Sequence, residues 1–367
     1  MKKSPPNAFK AHFEQAVETD ANFNMRQLAN AVWSLVEARP GVAGVIPTIR
    51  SLLGDQYRKL SFSILRNAFL IELVKVPKIE TTKFRVRWFD QLKGDPRFCS
   101  FEECLEIATD LLSMLPDWLH TPTHLEVLNL SFTNGMIPYE APLDYQRRLT
   151  PDRRLHQQGN LIWLFDDLVL RTLKLRKYLT ESETSPDHRF FRKVLTDKIK
   201  IKTYLTDRVL TGEHKTNREK RWETPPNSVH FAERRTCMAI EYALATQICA
   251  FEGFPIAALE QLQQAKILSN PLPTALCPIT GDALCYEAFR DALLNPTHGK
   301  SDFQVGHLNP LKLGDVDGAT TGHTADNISW ISADGNRIQG SLSLRDVRGL
   351  IQRISENYAR LAWLPSA

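Results

Sequence analysis

Three prolines, Pro271, Pro273 and Pro278, punctuate "SNPLPTALCP" (269 to 278) and divide the chain into two textures. Proline has no amide donor and fixes its own φ, so neither a helix nor a central strand runs through such a stretch. Upstream, apolar residues recur at helical spacing. Downstream, short strand-like runs alternate with turn residues. This pattern predicts a mainly α N-terminal and middle region followed by a small C-terminal domain of strands and helix, α+β overall, with a boundary near 270.

Upstream of that boundary, "MRQLANAVWSLVEA" (25 to 38) and "RKLSFSILRNAFLIELVKV" (58 to 76) read as helices, the second apolar on several faces. "SFEECLEIATDLLSML" opens with Ser100 and Glu103 at the spacing of a capping box. Pro116, Pro122, Pro138, Pro142 and Pro151 then break residues 116 to 158, where only "HLEVLNLSF" resembles a strand. The expected organisation is a helical domain over 1–115, a loop-rich connection with a basic helical region over 116–270, and a third domain over 271–367.

Charge is concentrated in the middle region. Between Arg147 and Arg235 stand 21 Lys and Arg against 12 Asp and Glu, whereas the whole chain carries only +4, so the remainder is net acidic. "HRFFRKVLTDKIKIKTYLTDRVL" (188 to 210) alternates apolar positions with Arg192, Lys193, Lys198, Lys200 and Lys202. A helix so built can pack one face and offer the other to phosphates, and these five residues are the expected DNA contacts.

Other classes are disfavoured. "MKKSPPNAFKAHFEQ" lacks the apolar run of a secretory signal. No stretch reaches the ~18 apolar residues of a membrane span. Cys99, Cys104, Cys237, Cys249, Cys277 and Cys285 form no C-x-x-C pair, which argues against a disulfide framework and a four-cysteine zinc site. A soluble, cytoplasmic protein with no membrane partner is the expectation.

Beyond 276, "CPITGDAL" reads as a strand and a tight turn at Gly281, "DFQVGHL" as a strand, "NISWIS" as its hairpin partner, and "LSLRDVRGLIQRISENYARL" as a closing helix. That helix carries Leu344, Val347, Ile351, Ile354, Tyr358 and Leu361 on one stripe. Trp330 and Ile328 are expected in the core beside it.

"GHLNP" followed by "NISWISADGNRIQGS" resembles the HNH, or ββα-metal, nuclease family. In that family a D/H-H-I-x-P element ends the first strand, an Asn opens the second, and an Asn or His follows nine residues later inside C-N-R-x-K-G. "CPITG" is similar to the C-x-x-[CST]-G stretch often found upstream of it. The resemblance covers residues 276 to 345. It implies a small ββα-metal domain with His307 as general base, Asn327 as the catalytic hairpin's brace, and Asn336 as a ligand to Mg²⁺, with Mn²⁺ able to substitute. Arg337 and Gln339, in the same motif, join the expected DNA contacts. Where many relatives hold a zinc with two cysteine pairs, this chain has only Cys277, so no structural zinc is expected.

The chemistry of these residue types fits those roles. Phosphodiester hydrolysis needs an activated water in line with the leaving 3′ oxygen and a cation for the developing charge. An imidazole titrates near neutrality and is suited to take the water's proton. Mg²⁺ accepts few protein ligands, because water and phosphate complete its octahedron. The residue before the base is commonly an Asp or His that binds the metal, and here it is Gly306, although other branches also read "GH". Asp302 and Asp315 are the candidate carboxylates for the unassigned ligand, with Asp317 and His323 as further choices.

The resemblance, together with a large basic helical region, implies a sequence-specific restriction endonuclease of bacterial origin that cuts double-stranded DNA. One such site handles one strand, so a homodimer is expected. The alternatives are a homing or other antiphage HNH nuclease, or a non-catalytic DNA-binding protein with a degenerate HNH domain.

Overall fold

The computed structural model describes residues 25–75, 83–88, 100–113, 115–119, 167–203, 217–221, 234–272, 275–296, 302–311 and 322–363, with small gaps and a few isolated positions. The chain forms two compact units, Met1–Leu173 with Tyr204–Arg235, and Lys174–Thr203 with Thr236–Ala367.

In the first unit, α1 (Met25–Glu37), α2 (Ile46–Leu53) and α3 (Tyr57–Phe69) bury the apolar positions that recur at helical spacing, among them Leu28, Val32, Val36, Ile49, Leu60 and Ile64. The apolar run over 58–76 is not one helix. At Leu70 the backbone turns extended (φ −127°, ψ 143°) and continues as β1 (Leu70–Lys75). Two partners draw it out of the helix: β2 (Lys83–Val86) pairs antiparallel with Leu70 opposite Val86, and β3 (Asn217–Glu219) with Leu73 opposite Glu219. Around the start of α4 (Phe101–Ser113), Phe69, Trp88 and Phe101 meet edge to face. Ser100 and Glu103 close the reciprocal cap: the Glu103 amide donates to Ser100 Oγ (3.1 Å) and the Ser100 amide to the Glu103 carboxylate (2.6 Å). "HLEVLNLSF" falls largely outside the described residues.

The partition between the units passes through α5 (Asp167–Glu181). In the second unit α6 (His188–Val194) opens on an Asp187 cap, widens into a π-helical turn at Leu195–Ile199 and ends as α7 (Lys200–Thr203). The buried central helix α8 (Arg234–Cys249) follows, then α9 (Ile256–Gln264) and α10 (Tyr286–Leu294). Arg176 on α5 and Glu241 on α8 form an ion pair with little exposure of either side chain. One apolar core takes in residues on both sides of 270, from Leu262 and Leu268 to Cys277, Phe289, Phe303 and Trp330.

The last part of this unit is a strand, strand, helix assembly. β4 (Phe303–His307) pairs antiparallel with β5 (Ile328–Ser332), Val305 opposite Trp330 and His307 opposite Ile328. α11 (Ala333–Gln339) starts directly after β5 on the Ser332 cap and ends at Gly340, whose φ of 54° is a conformation that favours glycine. α12 (Leu344–Arg360) starts on the Ser343 cap. Trp330 and Ile328 are buried, the indole edge to face with Phe289 and its Nε1 donating to Leu244 O at 2.9 Å. Gln247 of α8 accepts from the Trp330 amide (3.1 Å) and from Ser329 Oγ (3.2 Å), so β5 is tied to the central helix.

The stripe on α12 is only partly core. Val347 is buried and Leu344 and Ile351 are half-buried, whereas Ile354, Tyr358 and Leu361 are exposed. The periodicity continues past the last buried position of the stripe, so a helical stripe alone does not show how far burial extends.

Candidate nuclease site at the end of the hairpin

Successive side chains leave a strand on opposite faces. Along β4, Phe303 and Val305 enter the core, whereas Gln304 and Gly306 face α11. A Cβ added at Gly306 would lie 2.7 Å from Ile331 Cδ1 and 3.6 Å from Asn336 Oδ1. The terminal methyl of buried Ile331 therefore fills the space that a metal-binding side chain would need at this position. That packing explains the glycine of "GH".

Asn336, half-buried on α11, donates from Nδ2 to Gln304 Oε1 at 2.8 Å. This bond fixes the amide so that its carbonyl oxygen lies over Gly306. The donor chemistry fits a hard cation of the Mg²⁺ type: a neutral oxygen, with water and phosphate as the remaining ligands. The nearby sulfur of Cys277 is directed elsewhere. It contacts Ser332 Oγ (3.3 Å) and accepts from the Ser332 amide (3.5 Å), beside Gly335 at the start of α11. Burial pushes the Cys277 thiol up, but hydrogen bonds from Ser332 and Thr280 outweigh it and hold the group below the ordinary thiol range. Among the described residues no cluster of three or more His, Cys, Asp or Glu is placed to hold a metal ion.

His307, half-buried, ends β4 and leaves it from the face opposite Gly306 by the same alternation. By this alternation its side chain and the Asn336 carboxamide lie on opposite faces of β4. His307 Nε2 lies 3.0 Å from Nδ1 of His323, a residue only 5% exposed. Gln339 braces the backbone there, its Nε2 donating to His307 O and Leu308 O at 3.0 Å and to Leu342 O at 3.3 Å.

Asn327, fully buried, is the central brace. Its Oδ1 accepts from the Asn309 amide (2.8 Å), and its Nδ2 donates to Asn309 O (3.1 Å) and Gly322 O (2.7 Å). Both connections of the hairpin end are thereby fixed by one side chain. Asn309 carries the bracing onward, because its Oδ1 accepts from the Leu344 amide at the start of α12.

The structure thus brings His307 and Asn327 to one end of the hairpin and sets Asn336 on the other face of β4, with Gln304, Asn309, His323 and Gln339 as partners that motif spacing does not single out for these roles. Gln339, expected at the DNA, is 4% exposed and committed to three backbone oxygens, because its position on α11 faces the strand end. Arg337 is exposed and paired with Asp334 at 2.9 Å. Asp302 is exposed at the far end of β4, where its carbonyl accepts from the Ala333 amide. Asp315 and Asp317 lie outside the described residues.

The π-helical turn packs against β4, which sets the basic segment beside the hairpin. Half-burial, with Lys193 and Lys202 as like-charged neighbours, lowers the Lys198 ammonium below its ordinary range, although Asp197 opposes this. Lys200 is half-buried and Lys202 exposed. Arg192 is exposed but donates twice to Thr180 O, at 2.8 and 3.0 Å. Among the described residues no helix is long and apolar enough to cross a membrane.

Comparison of the chain with protein-family models, with curated proteins and with solved structures gives no match.

Proposed function

We propose that the chain is a divalent-metal-dependent endonuclease of the HNH type that cuts double-stranded DNA, a restriction enzyme of bacterial cytoplasm. The observation that carries this reading is the strand, strand, helix assembly itself: His307 at the end of β4 beside His323, Asn327 bracing the connection, and Asn336 held on Gln304 from the helix that follows β5. His307 takes the proton of the attacking water, the new P–O bond forms, the bond to the 3′ oxygen breaks, and that oxygen takes a proton from solvent water, giving 5′-phosphate and 3′-hydroxyl ends. A divalent cation such as Mg²⁺ would be held by the Asn336 carboxamide together with Asp315, Asp317 or water, and would supply charge neutralisation at the phosphate and the leaving oxygen. Lys193, Lys198, Lys200 and Lys202 beside the hairpin hold the DNA backbone. Two copies of the chain, one per strand, account for a double-strand cut.

Gly306 favours a second reading, a DNA-binding protein whose HNH domain has lost its chemistry, because Ile331 fills the place of a metal-binding side chain. Supercoiled plasmid incubated with the pure protein in Mg²⁺, Mn²⁺ or EDTA separates the two. The nuclease reading expects metal-dependent nicked and linear products with 5′-phosphate ends. Salt-sensitive binding with no cleavage under either ion transfers the case to the binding protein.

A further inference from the structure

We propose that the exposed end of α12 is a docking surface for a second copy of this chain, which lays the same end of its own α12 antiparallel against it about a two-fold axis level with Glu356. The surface is argued from the helix itself. Its use, one cutting site for each DNA strand, rests on the nuclease reading.

Leu344, Val347, Ile351, Ile354, Tyr358 and Leu361 follow one another at alternating steps of three and four residues, a repeat that closes every seven. That is the seam of a helix paired with a helix, narrower than the stripe of a helix laid on a globular core. Within the chain only its first half is used: Val347 is buried in the unit's core, and Leu344 and Ile351 pack half-buried against it. From Gln352 to Trp363 every residue is exposed. Ile354, Tyr358 and Leu361 keep 42 to 45% of their surface in water, and Trp363 keeps 64%. Helices draw most of their stability from packing an apolar face, so these last turns need a partner.

The helix end is closed by its own hydrogen bonds. The Trp363 amide donates to Tyr358 O (2.9 Å) and the Ala362 amide to Ala359 O (3.2 Å), with Ala362 in the left-handed region at φ 52°. The chain thereby turns back and sets the Trp363 ring edge to face on Tyr358, centroids 5.5 Å apart. The apolar face thus extends past the last helical turn.

The face matches its own copy. From Ile351 to Leu361 the steps are three, four and three, the same read in either direction. An antiparallel copy therefore sets Ile354 opposite Tyr358 and Ile351 opposite Leu361, each contact occurring twice, as an isologous interface requires. Ser355 and Asn357 flank the seam beside the axis, and neither is charged. Arg353 and Glu356 stand on the far side of the helix, where Glu356 accepts from Gln352 (2.9 Å), and Arg360 is drawn to Asn357 Oδ1 (3.2 Å). Two copies meet with no like charges opposed beside Ser355, whereas a partner with charged flanks would find no counter-charge there.

The face is smaller than the about 800 Å² per partner of a standard interface, so the dimer forms in proportion to concentration. Sedimentation velocity of the full-length protein, from about 1 to about 100 µM, should show the mass rising toward twice that of one chain. Ile354→Asp leaves the buried core untouched and puts a carboxylate against Tyr358 of the other copy, which should raise the dimer Kd at least about 10-fold. Ser355→Glu and Ser355→Lys should each weaken the dimer as pure proteins and restore it in an equal mixture, a recovery that misfolding cannot produce. In Mg²⁺, Ile354→Asp should still nick plasmid while its linear product falls. A parent that stays monomeric at every concentration, or a dimer indifferent to Ile354→Asp, overturns the docking surface, and a mixture that stays monomeric overturns the antiparallel register. A parent that dimerises in this way but cuts no DNA instead overturns the nuclease reading and leaves the surface standing.

Discussion

At the scale of single residues, Gly306 has a packing reason that its chemistry conceals. A Cβ there would lie 2.7 Å from the terminal methyl of buried Ile331, which must move to admit it. Gly306→Ala should cost about 1–3 kcal/mol, the range for overpacking a close-packed site. Combining it with Ile331→Val, which removes that methyl, should recover stability relative to the single alanine variant in urea unfolding. Additive losses in the double variant would show that Ile331 is not what excludes a side chain. His323 marks where sequence patterns stop being informative. It stands 16 residues from His307 across a loop, so no local spacing links the two rings, whereas the bracing role of Asn327 is legible from the motif alone.

At the scale of elements, legibility follows how local the determinants are. The cap at Ser100 and Glu103 and the Gly281 turn are each specified by residues close in sequence, and each forms, while β4 and β5 each carry their own strand pattern and pair across a longer connection. β1 has the sequence pattern of a helix, because its pairing partners lie outside the apolar run itself, at 83–86 and, far along the chain, at 217–219. The basic helix is legible as a charged face, but not its π-helical turn or that turn's place beside β4. The turn separates the roles of its cations. Replacing Lys193, Lys198 and Lys202 with glutamine should reduce the slope of log K against log salt for DNA binding by about 2–3, at ~0.9 for each phosphate no longer neutralised. Arg192→Ala should change that slope less, because its guanidinium is bound to Thr180 O. A slope unaltered in the triple variant, measured by fluorescence anisotropy on duplex DNA, would remove this segment from the interface.

At the scale of the whole molecule, the strand, strand, helix assembly shares its core with the central helix and the helices around it rather than standing apart. Its site is therefore supported by the same packing that carries the basic face. The measurement closest to the central claim is the single-turnover rate of plasmid cleavage in Mg²⁺ for the parent and for His307→Ala, with DNA binding measured in parallel. The account predicts a loss of about 10²- to 10⁴-fold in rate, the usual contribution of a general base, with binding retained. Equal rates for the two proteins would contradict it.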